Sequence, residues 1–257
     1  MMKSVIAFLA VFTVASIANA LGTEEMIAVL RTIDQRTGNN VGDYKALVYI
    51  EQKEKGKDDL LYESVVYRRD ADDKLMIVFA RPKAEAGKGY LRLDKNLFYY
   101  DPTVGKWERR TERERIAGTN TRRQDFDEMR LAEEFSPTFV GEEKLGAFTV
   151  YHLELHAKPG FDVAYPVVHV WVDKDSGNLL KQQQYALSGK LMRTAYLPKW
   201  GKLKNPKTSN EVYYALEQRV FDEVDKGTDT TIVVRQVDLQ DLPDNMFTKA
   251  WLESQSR

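Results

Sequence analysis

The sequence predicts a mainly β protein, an antiparallel sheet of about 10–12 strands curled into a partial barrel with helices against its concave face. Three observations predict it. Segments rich in Val, Ile, Tyr and Phe recur along most of the chain, each bounded by clusters of Gly, Asp, Asn or Lys. The connections between consecutive segments are short and polar, which joins neighbours as antiparallel hairpins. No strand-helix-strand spacing of the kind that builds a parallel sheet appears in the first half.

The chain opens on what reads as an export address. Lys3 supplies a positive charge, Val5 to Ala15 is an almost unbroken apolar run, and Ala18-Asn19-Ala20 is a small-x-small cleavage site. A membrane span needs roughly 18 or more apolar residues, and this run is shorter and has no charged stop-transfer cluster behind it. Residues 1–20 are therefore expected to be a cleaved signal peptide, leaving 21–257 as one domain in the periplasm after general secretory export. Cysteine is absent, so no N-terminal acyl anchor, disulfide, thiolate nucleophile or cysteine-ligated metal is expected. The 38 Lys and Arg residues nearly balance 39 Asp and Glu, and the charges are interspersed. Neither a basic face for nucleic acid nor an acidic tail follows from that pattern.

Met26, Ile27, Leu30 and Ile33 recur at three- and four-residue spacing, with Thr23 as N-cap and Gly38 as stop, which predicts one amphipathic helix over Thr23 to Arg36. Strands follow at Tyr44 to Lys53, Leu60 to Arg69, Lys74 to Ala80, Gly89 to Leu93, Leu97 to Tyr100 and Lys106 to Arg110. The pattern then breaks into a charged stretch, and Phe126, Met129, Leu131 and Phe135 suggest a short helix from about Asp125 to Glu134, a candidate lid. Strand character resumes at Phe148 to His156, Val167 to Asp173, Leu179 to Leu187, Lys190 to Tyr196, Glu211 to Phe221 and Thr230 to Leu239. Trp200 to Asn210, rich in Lys, Gly and Pro, reads as a loop. Phe247, Ala250, Trp251 and Leu252 are spaced for a closing helical turn that docks on the sheet.

The residues that carry chemistry are sparse. His152, Glu154 and His156 share one face of a predicted strand, but the two histidines stand roughly 13 Å apart, too far to ligate one ion together. His169 can approach only one of them, so polar residues on a solvated face are the preferred reading and no metal or cofactor is expected. There is no Gly-x-Ser-x-Gly elbow, Gly-x-Gly-x-x-Gly turn or Walker loop, and no catalytic residue is nominated. Arg109, Arg110, Arg113 and Arg115 alternate with Glu108, Glu112 and Glu114, the composition of a solvated loop. The alternative for these arginines is contact with a phosphate or a membrane surface.

What remains is an apolar inventory larger than one short helix covers. It is either an ordinary core or a surface left partly open as an elongated cavity, where an acyl chain gains roughly 0.8 kcal/mol per methylene buried. Ile77, Phe79, Leu91, Leu93 and Phe98 are the residues nominated to line it.

The order of segments also resembles a known group, the outer membrane lipoprotein-sorting (LolA-like) proteins, in particular their longer uncharacterised branch. The likeness rests on Phe139-Val140-Gly141-Glu142-Glu143-Lys144-Leu145-Gly146 running into Tyr151-His152-Leu153-Glu154-Leu155, and on Val170-Trp171-Val172-Asp173 with Leu180-Lys181. Gly189-Lys190-Leu191-Met192-Arg193-Thr194 and the ending from Leu242-Pro243-Asp244-Asn245-Met246-Phe247 to Trp251-Leu252 complete it. The resemblance implies a half-closed antiparallel β-barrel with an N-terminal helix and a helical lid, carried here by Phe126, Met129 and Leu131, over an apolar cavity. It implies a carrier of lipid or lipoprotein acyl chains, loaded by an inner-membrane transporter or permease and unloaded to an outer-membrane acceptor. Two further readings use the same fold: an envelope protein-binding or stress-sensor module, and a lipid hydrolase.

Overall fold

The computed structural model describes residues 21–37, 42–93, 96–110, 114–122, 125 and 129–256. The expected signal peptide and Phe126 of the expected lid lie outside them. Among the described residues a single sheet of thirteen antiparallel strands carries the architecture. One meander consists of β1 (Asp43–Glu54), β2 (Leu60–Arg69), β3 (Lys74–Arg81), β4 (Gly89–Leu93), β5 (Asn96–Asp101) and β6 (Lys106–Arg110). The other consists of β7 (Phe135–Leu145), β8 (Phe148–Ala157), β9 (Val167–Asp173), β10 (Leu179–Tyr185), β11 (Leu191–Lys204), β12 (Glu211–Asp222) and β13 (Thr228–Leu239). Pairing of β1 with β13 joins the two, in the spatial order β6-β5-β4-β3-β2-β1-β13-β12-β11-β10-β9-β8-β7. The sheet is open, with β6 and β7 as its free edges, which is the half-barrel the resemblance implied.

Helix α1 (Thr23–Thr37) buries Met26, Leu30 and Ile33, one stripe at four- and three-residue spacing. That stripe packs on Leu153, Leu155, Val168, Val170, Val172, Leu179 and Leu197 of β8 to β11. A second cluster lines the same face at the other end of the sheet: Ala46, Val48, Ile50, Tyr62, Leu75, Ile77, Phe79, Tyr90 and Leu97 of β1 to β5. The concave face therefore carries two apolar fields. We call the opposite face the outer one.

Four expectations change. The sheet gains β7, whose residues Pro137 and Gly141 and run of Glu142, Glu143 and Lys144 hide it; proline and charge are what a strand exposed at a sheet edge carries. Strand β11 runs through to Lys204, across part of the segment read as a loop. Its pairing with β12 shifts register around Pro198, and Gly201 lies against the Tyr214 ring, where an added Cβ would stand 2.7 Å from Cζ. The described part of the expected lid helix, α2 (Leu131–Glu134), is four residues long and passes directly into β7. Finally, α3 (Lys249–Gln255) docks on the outer face and not the concave one. Leu252 and Phe247 pack there with Met76 and Leu91, and Trp107 Nε1 donates to Glu253 Oε1 at 2.7 Å.

Docking of α3 depends on a missing side chain. A Cβ added to Gly89 would stand 2.6 Å from the Ile77 carbonyl oxygen and 2.8 Å from Leu252 Cδ1. Gly89→Ala is accordingly expected to cost about 1–3 kcal/mol by overpacking, measured by chemical denaturation; a neutral substitution would show that α3 rides loosely on the sheet.

Candidate binding site on the concave face

The two apolar fields are bridged by a strap, residues 114–122, closed on itself by an Arg115 to Arg122 bridge and by Ile116 N–H donating to Thr121 O at 2.8 Å. Ile116 is inserted into the β1 to β5 field. Next to it Ala117 adopts the left-handed conformation, φ 50°, a region costly for a residue with a Cβ. Two tyrosines hold it there: Tyr62 of β2 donates its hydroxyl to Ala117 O at 3.1 Å, and Ala117 N–H donates to Tyr90 Oη of β4 at 2.9 Å. Burial pushes both phenols above their ordinary range, so both remain protonated at neutral pH.

Beyond Ile116 the strap is held by polar contacts. Thr119, Asn120 and Thr121 are buried. Asn120 N–H donates to Thr230 Oγ1 at 2.8 Å, its side-chain amide to Val220 O at 3.4 Å, and Thr228 Oγ1 donates to its side-chain oxygen at 3.3 Å. Gln52 Oε1 accepts from Thr230 Oγ1 and from Asn120 N–H. Arg193 of β11 forms a bidentate pair with Asp125 and reaches Asn120 O at 3.4 Å. Its side chain is 6 % exposed and that of Asp125 14 %. Burial works against the Arg193 charge, but the Asp125 carboxylate more than offsets it and holds the guanidinium above its ordinary value. Arg122 donates to Tyr165 Oη, and Arg115 to Asp222 Oδ2.

Helix α2, the described part of the expected lid, is latched to α1. Asp34 accepts from Leu131 N–H and Ala132 N–H, each at 2.9 Å, which satisfies the first donors of α2. Lys158 Nζ donates to Ala132 O and Glu133 O from the far side. Leu131 enters the α1 cluster, and Met129 packs against it half-buried.

The five nominated lining residues do not share a face. Ile77 and Phe79 lie on the concave face beneath the strap, each 2 % exposed. Leu91, Leu93 and Phe98 lie on the outer face, Leu91 and Leu93 in the α3 cluster and Phe98 under the ammonium of Lys249 at 4.5 Å. Where the open hollow is expected, Ile116 packs into the β1 to β5 field. Sequence reasoning missed Asp34, Asn120, Asp125 and Arg193. A signal existed: Arg193 falls in phase with Ala195 and Leu197, Gln52 with Val48 and Ile50, and Thr230 with Ile232, so polar residues on the apolar phase of three strands mark where the strap crosses.

The histidines sit elsewhere, on the outer face of β8 and β9. His169 meets His152 at 2.8 Å, Nδ1 to Nε2, and Glu154 joins the row by accepting from or pairing with His156 Nε2 at 2.7 Å. The arginine stretch is largely paired where described: Arg110 meets Glu108 and Glu114 and lies over the Tyr99 ring, while Arg109 is exposed.

An open antiparallel half-barrel with its N-terminal helix on the concave face is the fold of solved lipoprotein-sorting domains. Solved structures bear this out. A domain from Vibrio parahaemolyticus described as an outer membrane lipoprotein-sorting protein superposes with a TM-score of 0.75 at 17% identity, covering 90% of this chain and 100% of that one. A LolA superfamily protein from Nitrosomonas europaea gives 0.69 at 19% identity with the same coverage. A DUF1329 family protein from Desulfovibrio piger gives 0.76 at 20% identity, covering 90% and 98%. No curated protein matches the sequence. A family profile described as "Uncharacterized protein" matches residues 71–254, and the chain belongs to that family.

Proposed function

We propose that residues 21–257 act as one lipid-binding domain, a periplasmic carrier that takes lipid or lipoprotein acyl chains onto the concave face and moves them toward the outer membrane. Residues 1–20 would direct export and be cleaved, with loading from an inner-membrane transporter and delivery to an outer-membrane acceptor. Among the described residues no helix is long and apolar enough to cross a membrane.

The observation that carries the reading is a strap fixed by polar contacts over two apolar fields. Neutral hydrogen bonds of this kind net only about 0.5–1.5 kcal/mol each, because water replaces them on release. Swinging the strap out would uncover Val48, Ile50, Ile77 and Phe79, whose affinity for hydrocarbon is larger. At roughly 0.8 kcal/mol per methylene, about six buried methylenes offset the 3–5 kcal/mol typical of breaking a buried ion pair such as Asp125 with Arg193.

The chain has no cysteine, so a pair introduced by Asn120→Cys and Thr228→Cys, whose side chains meet at 3.3 Å, would be its only thiols and would tie the strap to β13. Native mass spectrometry of the wild-type protein purified from envelope is expected to show bound acyl species. The oxidised double variant, incubated with phospholipid vesicles, is expected to take up none until reduced. A wild-type protein that never retains acyl chains, or equal uptake by locked and unlocked forms, would overturn the proposal.

A further inference from the structure

The outer face of β8 and β9 holds a group of side chains that the carrier reading does not use. The even-numbered His152, Glu154 and His156 of β8 share it, and the antiparallel register sets Trp171 opposite His152 and His169 opposite Glu154. His169 is thereby a diagonal neighbour of His152, within reach for long side chains. Its Nδ1 stands 2.8 Å from His152 Nε2.

The far nitrogen of each ring faces a carboxylate. His152 Nδ1 lies 3.3 Å from Glu143 Oε1 of β7, and His169 Nε2 lies 3.8 Å from Glu154 Oε2. These contacts are electrostatic rather than hydrogen bonds, and a carboxylate beside an imidazole favours the proton on the nitrogen it faces. With both far nitrogens protonated, the facing Nε2 and Nδ1 each present a lone pair to the other. Two converging lone pairs repel unless a proton or a cation lies between them.

We propose that His152 Nε2 and His169 Nδ1 together bind one late-transition divalent cation, Zn²⁺ or Cu²⁺. Imidazole pairs suit these ions and not Mg²⁺ or Ca²⁺, which take oxygen ligands. Burial holds both histidines below their ordinary value, with Glu143 beside His152 and Glu154 beside His169 opposing it only in part, which favours neutral rings able to ligate at neutral pH. Bonds of about 2.0–2.1 Å from one zinc to both nitrogens require the rings to part by a few tenths of an ångström. Both side chains are partly exposed, 15 % and 19 %, so the ion has a path in. Among the described residues no group of three or more His, Asp or Glu converges to hold a metal. Water therefore fills the remaining positions, and the ion exchanges readily.

Trp171 supplies the readout, since its ring stacks on His152 with centroids 4.2 Å apart. The full chain, without a polyhistidine tag, is titrated with CuCl₂ by tryptophan fluorescence and with ZnCl₂ by calorimetry. One saturable site is expected, with quenching that Trp171→Phe largely removes. His152→Gln and His169→Gln are each expected to weaken binding at least about tenfold, the scale on which losses around a metal ligand are felt. His156→Gln, whose ring lies outside the facing pair, leaves the affinity unchanged. Should either variant fail to fold, zinc-dependent shifts of the His152 and His169 ring resonances in the wild type decide the matter. Absence of saturable binding by the folded wild type, or binding that survives both substitutions, overturns the site.

Discussion

Asp43→Ala is expected to lower the stability of the protein by about 3–5 kcal/mol, the usual cost of removing one partner from a buried ion pair. Asp43 opens β1 and receives the Arg69 fork of β2, with Nη2 at 2.9 Å and Nε at 3.0 Å from Oδ2. The same oxygen accepts Leu242 N–H at 2.9 Å. Arg69 continues outward, donating to Leu242 O, pairing with Asp244 at 2.5 Å and lying over the Phe247 ring. At side-chain exposures of 12 % for Arg69 and 13 % for Asp43 the pair is largely shielded from water. Alanine leaves the guanidinium without its main counter-charge and orphans the Leu242 N–H. The segment that carries α3 to the outer face is then free to leave, and thermal unfolding with limited proteolysis after residue 241 would report both effects. Unchanged protection of residues 242–256 would show that the apolar contacts of Phe247 and Leu252 hold the segment without the ion pair.

The same pair fixes an acid limb. Burial by itself raises the Asp43 pKa, but the Arg69 hydrogen bonds and the Leu242 N–H more than offset it, and the net shift is downward. A carboxyl with a depressed folded-state value contributes stability that is fully present above its unfolded value and is lost as pH falls through the folded one. Wild type and Asp43→Ala should therefore differ by a constant amount near neutrality and converge only in acid, below the ordinary carboxylate range.

How much of this was legible in the sequence depends on which faces are wet. Strands such as β1 alternate, with Ala46, Val48, Ile50 and Gln52 buried and their neighbours only partly so, and period-two patterns of that kind disclose both the strand and its inner face. Strands β3 and β4 do not alternate, because α3 covers their outer side: Leu75, Met76 and Ile77 are buried in succession, as are Tyr90, Leu91 and Arg92. An apolar run disclosed the strand but not which way each residue points. Register decides that. Ile77 pairs with Tyr90 and Met76 with Leu91, so Ile77 and Leu91, nominated together, fall on opposite sides. The strap was illegible for a different reason. Residues 114–122 form neither helix nor strand long enough to set up a period, and their order comes from partners up to about a hundred positions away, such as Val220 and Thr230 for Asn120.

That long-range order gives the second large effect, at Asp125. Asp125→Ala strands the Arg193 guanidinium, 6 % exposed, beneath the strap without its bidentate partner. The penalty is of the same order, about 3–5 kcal/mol, but it should appear in a different place. The sheet beneath is held by its own ladder, whereas the strap around Asn120 is held by scattered contacts with Arg193, Gln52, Thr228, Thr230 and Val220. Hydrogen exchange should therefore accelerate at residues 116–122 while amides of β11 and β12 remain protected, and an apolar dye should bind where Ile77 and Phe79 become accessible. The double variant Asp125→Ala with Arg193→Met separates charge from shape: a buried methionine has no counter-ion to lose, so most of the stability should return. If the strap is a gate, the single variant also loads acyl chains faster than wild type and the double variant does not. Exchange that speeds up uniformly across the sheet, with no excess in the strap, would mean that Asp125 and Arg193 hold the whole fold together and do not act as a latch.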